Sequence, residues 1–249
     1  MTTLDRHRRD WEDLAEIDPL WAILASPETR GGRWDVDAFF ASGEAEIAEV
    51  LRSAETLGYP RRHERALDFG CGVGRLTRAL SESFDDAVGL DISAEMIRLA
   101  RQLNDGRPCR FEVNDHGDLG GLEPASFDFV YSSLVLQHMP STEVIRSYIG
   151  EFLRVVRPDG LIVFQSVEHL PRARRIQPRR RVYSVLRRLG VPHAVLVEKL
   201  RLVPVRMTAI SQDDVRRTVA ARGGVIERVE GQPEPADGAR SVRYYVRPA

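Results

Sequence analysis

Chemistry in this chain centres on Asp68, Asp91, His138 and three glycines at alternate positions, Gly70, Gly72 and Gly74, within the stretch Ala66 to Leu80, ALDFGCGVGRLTRAL. A short apolar run meets an acid, then the glycines, then a helical pattern from Leu76, which reads as a strand, a tight loop and a helix start. Glycine serves where backbone must turn with positive φ or let a ligand approach the main chain, so this loop is a surface built to be touched, or an ordinary strand-to-helix turn. A dinucleotide loop would place its third glycine at position 75, where this chain has Arg75. A carboxylate before the glycines repels a pyrophosphate and suits a cationic amine, whereas a helix N-terminus suits a carboxylate. Together they fit an amino-acid-like ligand, and the sulfonium methyl donor S-adenosyl-L-methionine ends in that group. Asp91, about twenty residues beyond the turn, reads as a ligand-binding acid, a solvated turn acid or a helix cap. His138 carries the side chain whose ordinary pKa suits a general base near neutrality.

Alternating strands and helices must position these residues. The pattern predicts strands at Ala87–Leu90, Arg110–Val113, Phe127–Ser132 and Leu161–Phe164, and a helix from Ala94 to Leu103 capped by Ser93. Ser141 caps a helix bearing Val144, Ile145, Tyr148, Ile149, Phe152 and Val156 on one face, ended by Pro158-Asp159-Gly160. Alternation of this kind requires a parallel sheet covered on both faces. Ahead of it, helical spacing runs from Trp11 to Leu24 with a new start at Asp18-Pro19, and Ser42 opens a helix to Leu57 with Glu44 and Glu46 in its first turn. Trp21, Trp34, Phe39 and Phe40 line a pocket or pack. After Glu168 the chain turns strongly basic as far as Ile210, broken by prolines at 171, 178, 192 and 204. Its arginines clamp an anionic substrate, or form a solvated face, or pair with the acidic N-terminal segment. Ser211-Gln212-Asp213-Asp214 is a capping box, and Val225–Val229 and Ser241–Val246 read as strands joined by GQPEPADGA.

At these residues the chain resembles the class I S-adenosylmethionine-dependent methyltransferases, whose first motif is D-x-G-x-G-x-G. The later landmarks follow in order: DDAVGLD ending in Asp91, CRFEVNDHGDL, FDFVYSSLVLQHMP and LRVVRPDGLIVFQS. The resemblance implies an α/β, Rossmann-like, seven-stranded and mostly parallel sheet with an antiparallel edge hairpin and helices on both faces. It implies one domain over 1–249 with an N-terminal helical cap at 1–60 and a basic lid at 167–210. It places S-adenosyl-L-methionine on Asp68, Gly70, Cys71, Gly72, Gly74, Arg75, Asp91, Ile92, Met96, Asn114, Asp115, His116 and Ser132, with Asp91 on the ribose hydroxyls and Asp115 and His116 bordering the adenine. His138 becomes the first candidate base, although the family also uses a histidine there structurally, and Tyr131 is read as packing. The implied reaction is in-line methyl transfer to oxygen or nitrogen of a small, anionic metabolite. Two other readings are an RNA- or protein-directed methyltransferase gripping phosphate with the arginines, and a cofactor-binding partner subunit without activity. A dehydrogenase is opposed by Asp68 and Arg75.

Bulk composition narrows this further. The chain has 249 residues, enough for one α/β domain with insertions. Lys+Arg 36 against Asp+Glu 37 gives a formal charge of −1, so no overall field draws it to nucleic acid or to a membrane. Two cysteines, Cys71 and Cys109, make no disulfide framework, no histidine pair has metal-ligand spacing, and the N-terminus is too charged for a secretory signal. A soluble, cytoplasmic protein is expected, with its oligomeric state open. The segment Tyr131-Ser132-Ser133-Leu134 stands where base-amine methyltransferases carry [DN]-P-P-[YF], and acids for a catechol-type magnesium site are missing.

Overall fold

The computed structural model describes residues 3–233 and 238–249. Strands β1 (Arg65–Phe69), β2 (Asp86–Asp91), β3 (Cys109–Val113), β4 (Phe127–Ser132), β5 (Val156–His169), β6 (Gly224–Gly231) and β7 (Arg240–Pro248) form one seven-stranded sheet in the order β3-β2-β1-β4-β5-β7-β6. The first five are mutually parallel, and β7 runs antiparallel between β5 and β6. Strand order reverses between β1 and β4, so a crevice opens beyond their carboxyl ends, where open α/β sheets bind ligands. Helices α1 (Thr3–Ile17), α2 (Pro19–Ile23), α3 (Val36–Glu55), α4 (Arg75–Leu80), α5 (Ala94–Leu103), α6 (Thr142–Val155), α7 (Arg172–Ile176), α8 (Pro178–Arg188) and α9 (Gln212–Ala221) complete the fold.

The central strands are buried because each sheet face carries a core. Leu67, Val88, Val130 and Ile162 meet α6 and α9 on one face, while Ala66, Ala87, Phe129 and Val163 meet α3 and α4 on the other. Ser93, Ser141 and Ser211 cap α5, α6 and α9, each accepting a backbone N–H three residues on. Pro19 sits in the first turn of α2, where its missing N–H costs nothing.

The structure corrects two expectations. The helix assigned to start at Ser42 begins at Val36, capped by Asp35, whose carboxylate accepts from Ala38 N at 2.8 Å. Glu46 therefore lies mid-helix and faces Arg75 instead of stabilising a helix start. Pro158-Asp159-Gly160 does not separate helix from strand, because β5 already begins at Val156, which pairs with Phe127 ahead of a register shift. Of the two readings of the cap's aromatics, packing holds for Phe39 and Phe40, which are buried with Val73 against the partly buried Trp34. In the predicted GQPEPADGA connection, residues 234–237 lie outside the described residues.

The approach of α3 to α4 depends on Gly43, where an added Cβ would stand 2.5 Å from the Arg75 carbonyl oxygen. Backbone cannot yield as a side-chain tip can. Gly43→Ala is expected to destabilise the fold by about 1–3 kcal/mol, the range for overpacking, and thermal unfolding of the variant checks it.

Candidate active site

Beyond the sheet's carboxyl edge lies a cavity of about 380 Å³ with mostly apolar walls. Gly70 and Gly72 reach it from the turn after β1, Asp91 and Ile92 from the end of β2, Met96 from α5 and Asn114 from the end of β3. The loop after β4 contributes Ser133, Leu134, Val135 and His138, and α6 contributes Val144 and Tyr148. Leu4, His7 and Trp11 of α1 and Ile23 of α2 complete the lining. No lysine or arginine is among these lining residues, which leaves a diphosphate without a cationic side chain.

The glycine turn is held open by hydrogen bonds that only its backbone can make. Gly70 and Gly72 have φ of 78° and 54°, in the left-handed region that disfavours side chains. Gly70 N and Cys71 N donate to Leu90 O at 2.7 and 2.9 Å, and Gly72 N donates to Asp91 Oδ2 at 2.9 Å. Asp91 Oδ1 accepts from Ser93 N at 2.9 Å, so this one carboxylate ties the glycine turn to the α5 cap. A carboxylate offers about four lone-pair sites, so with the Gly72, Ser93 and Ile92 N–H groups on it acceptor capacity remains for a ligand. Burial, with Glu12 nearby, raises the Asp91 pKa to about 6. Leu134, at φ 63°, is a non-glycine residue held in the left-handed region on the cavity wall.

Half of the residues anticipated from sequence come together here: Gly70, Gly72, Asp91, Ile92, Met96, Asn114 and His138. Asp68, Cys71, Gly74, Arg75, Asp115, His116 and Ser132 do not line the cavity. Asp68 is buried behind the turn, where Thr77 Oγ1 donates to its Oδ2 at 2.7 Å, so it braces β1 against α4. Arg75 faces the other way, donating to Glu46 at 2.7 Å, and Tyr131 OH donates to the same carboxylate at 2.7 Å. Ser132 Oγ donates to Phe69 O, and burial raises the Cys71 thiol well above its usual range. Gly74, with φ 86°, occupies the N-cap of α4. His116 is 77% exposed and Asp115 pairs with Arg8 at 3.5 Å, because after Asn114 the chain turns outward and only Gly117 returns to the wall.

Burial, opposed by the Thr77 hydrogen bond, raises Asp68 from 3.8 to about 7. The folded state then holds a proton that the unfolded state releases, so this group's stabilising contribution is full below pH 3.8 and declines as pH rises toward about 7. Asp68→Asn should therefore flatten the fall in unfolding temperature between pH 4 and 7, and a melting series across that window checks it.

His138 sits in the short 3₁₀ turn Leu136–His138, and its Nδ1 lies 2.8 Å from Arg206 O. A carbonyl only accepts, so Nδ1 carries the proton and Nε2 keeps its lone pair, with the Gln137 amide donating to it at 3.2 Å. Burial lowers the His138 pKa, leaving a neutral imidazole at pH 7. Trp11 packs edge-on against its ring at 5.4 Å between centroids. Sequence reasoning missed His7, which burial and the nearby His138 and Arg206 lower to about 4. The signal was available, since Leu4, His7, Trp11 and Leu14 repeat at helical spacing once α1 is extended to Thr3.

Helix α1 is fastened over the site by one carboxylate. Glu12 accepts from Ser93 Oγ at 2.8 Å, Ala94 N at 2.7 Å and Glu95 N at 3.1 Å, supplying the negative charge that the start of α5 attracts. Its other face shares an apolar cluster with the basic insertion: Leu14 packs with Tyr183, Leu196, Val197 and Leu202.

The sheet order, the glycine turn and the acid at the end of β2 are similar to those of the class I S-adenosylmethionine-dependent methyltransferases. Residues 67–164 match the family described as "Methyltransferase domain". The chain is 24% identical over 163 residues to a ubiquinone biosynthesis O-methyltransferase of Bordetella avium, covering 65% of this chain and 64% of that protein. It is 32% identical over 121 residues to a malonyl-[acyl-carrier protein] O-methyltransferase of Enterobacter lignolyticus, covering 46% of this chain and 44% of that one. The chain thus spans less than two thirds of these relatives' length. In fold it is similar to a magnesium protoporphyrin IX methyltransferase from Synechocystis PCC 6803, solved with bound SAH, at a TM-score of 0.62 and 18% identity over 97% of this chain and 98% of that one.

Proposed function

We propose that the chain transfers a methyl group from S-adenosyl-L-methionine to an oxygen or nitrogen of a small acidic metabolite, oxygen being favoured by the relatives' names. The observation that carries this is the Asp91 carboxylate, held by Gly72 and Ser93 with lone pairs to spare for ribose hydroxyls, in one cavity with the basic nitrogen of His138. Ile92 and Met96 offer apolar surface to an adenine, and Asn114 an amide to its edge. The bound cofactor supplies a sulfonium methyl open to in-line displacement.

The protein's work is then alignment and exclusion of water. Leu4, Trp11 and Ile23 cover the cavity, so the cap at 1–60 and the insertion at 167–210, joined through the Leu14 cluster, act as one roof on a single domain. Neutral His138 receives the acceptor's proton on Nε2 while the Arg206 carbonyl holds the ring. A side pocket of about 30 Å³, sharing His7, Trp11, His138 and Pro140 with the main cavity, adds Arg6, Asp10, Arg180 and Arg206. It has room for little more than one carboxylate, and its excess of arginine supports an anionic acceptor.

Isothermal titration with S-adenosyl-L-methionine and its demethylated product, with a nicotinamide dinucleotide as control, tests the cofactor assignment. Binding of the nicotinamide compound in place of the other two overturns it. Incubating metabolite extracts with isotopically labelled methyl donor then identifies the acceptor, and recovery of label in bulk tRNA would move the assignment to nucleic acid.

A further inference from the structure

We infer that the basic insertion docks the protein on an anionic lipid surface, with α8 lying in the headgroup plane. Among the described residues, seven large hydrophobic side chains are exposed, and five of them, Ile176, Val182, Val185, Leu189 and Leu200, belong to this insertion. Val182, Val185 and Leu189 are three and four residues apart and share one face of α8 and its C-terminal edge, with Val185 54% and Leu189 75% exposed. The inner edge of that stripe is already occupied, since Tyr183 is buried and Leu186 packs on the Leu14 cluster. On its outer edge stand Arg181 and Arg188, both exposed.

Charge selects the occupant. Between His169 and Ile210 the sequence has eleven arginines and lysines against Glu198 alone, while the whole chain carries a formal charge of −1, so this segment is strongly basic in a chain that is otherwise acidic. Aliphatic side chains bordered by arginine suit the boundary between acyl chains and anionic headgroups. Single-stranded nucleic acid would instead call for exposed aromatic platforms, and the one aromatic residue of α8, Tyr183, is buried. No helix among the described residues is long and apolar enough to cross a membrane, so the contact is peripheral. Docking in this way would bring the insertion's other face, with Arg180 and Arg206 at the side pocket, close to acceptors that partition into lipid.

Flotation of the full chain with phosphatidylcholine vesicles, with and without phosphatidylglycerol, tests the inference. The protein should float with the phosphatidylglycerol vesicles only, and raised salt should weaken binding. The double variant Val185→Glu, Leu189→Glu and the double variant Arg181→Gln, Arg188→Gln should each lose about tenfold or more in vesicle affinity. Both should keep wild-type circular dichroism and wild-type affinity for the demethylated cofactor product, a readout that separates this surface from the cavity. Absence of flotation with phosphatidylglycerol, vesicle binding unaffected by Val185→Glu, Leu189→Glu, tighter binding to bulk tRNA than to vesicles, or a dimer that this variant abolishes without any vesicle binding would each overturn it.

Discussion

Asp91→Ala is expected to weaken affinity for the demethylated cofactor product by about 10- to 100-fold, which is about 1–3 kcal/mol, the range for leaving hydrogen-bonding partners unsatisfied. Two effects combine. On the proposed placement the ribose hydroxyls lose their acceptor, and the Gly72 and Ser93 N–H groups lose the oxygens that hold the glycine turn against the α5 cap. Isothermal titration alongside a melting curve separates them, and unchanged affinity in a folded variant removes Asp91 from the binding site. A pH series sharpens the test. Burial raises Asp91 to about 6, and acceptance of hydroxyl protons is best served by the carboxylate. Wild-type affinity should therefore fall as pH drops through about 6, whereas Asp91→Asn, which has no titrating group there, should bind more weakly with a flatter profile.

His138→Ala should lower turnover by about 100-fold or more while leaving cofactor affinity intact, the scale on which a positioned general base contributes. In the proposed role the imidazole acts as the neutral base, and burial pushes its pKa below 6.5. Activity should thus be sustained down to pH values below the ordinary histidine range and then fall as the ring gains a proton. If His138→Ala retains normal turnover and the acid limb stands near pH 4, the base is His7, the other cavity histidine, lowered to about that value. His138→Gln offers a further discrimination. A ring that merely spaces the Arg206 carbonyl from Trp11 would be replaced without loss by a side chain that keeps the hydrogen bond, and a base would not.

Much of this protein is legible in its sequence because local signals carry local structure. A short apolar run interrupted by Asp68 marks β1, the run Ala87–Leu90 ending in Asp91 marks β2, and serines ahead of amphipathic stretches mark the starts of α5, α6 and α9. The start of α3 was misplaced because Asp35 and Ser42 are both capping residues, and the choice between them rests on the burial of Phe39 and Phe40, which sequence spacing does not show.

What the sequence determined by itself was the order of strands and helices, the glycine turn at a strand end and the presence of Asp91 and His138 near the sheet's carboxyl edge, since each follows from residue type and spacing over a few positions. Which side chains face the cavity was decided only by tertiary structure. Asp68 and Arg75 stand in the motif yet turn into the protein, because Thr77 and Glu46 offer them buried partners and the cavity wall does not. His7 and Trp11, some sixty residues before the motif, reach the same cavity because Glu12 fastens α1 to the start of α5. A side chain's direction depends on what lies across from it, and in a folded chain that neighbour is usually distant in sequence.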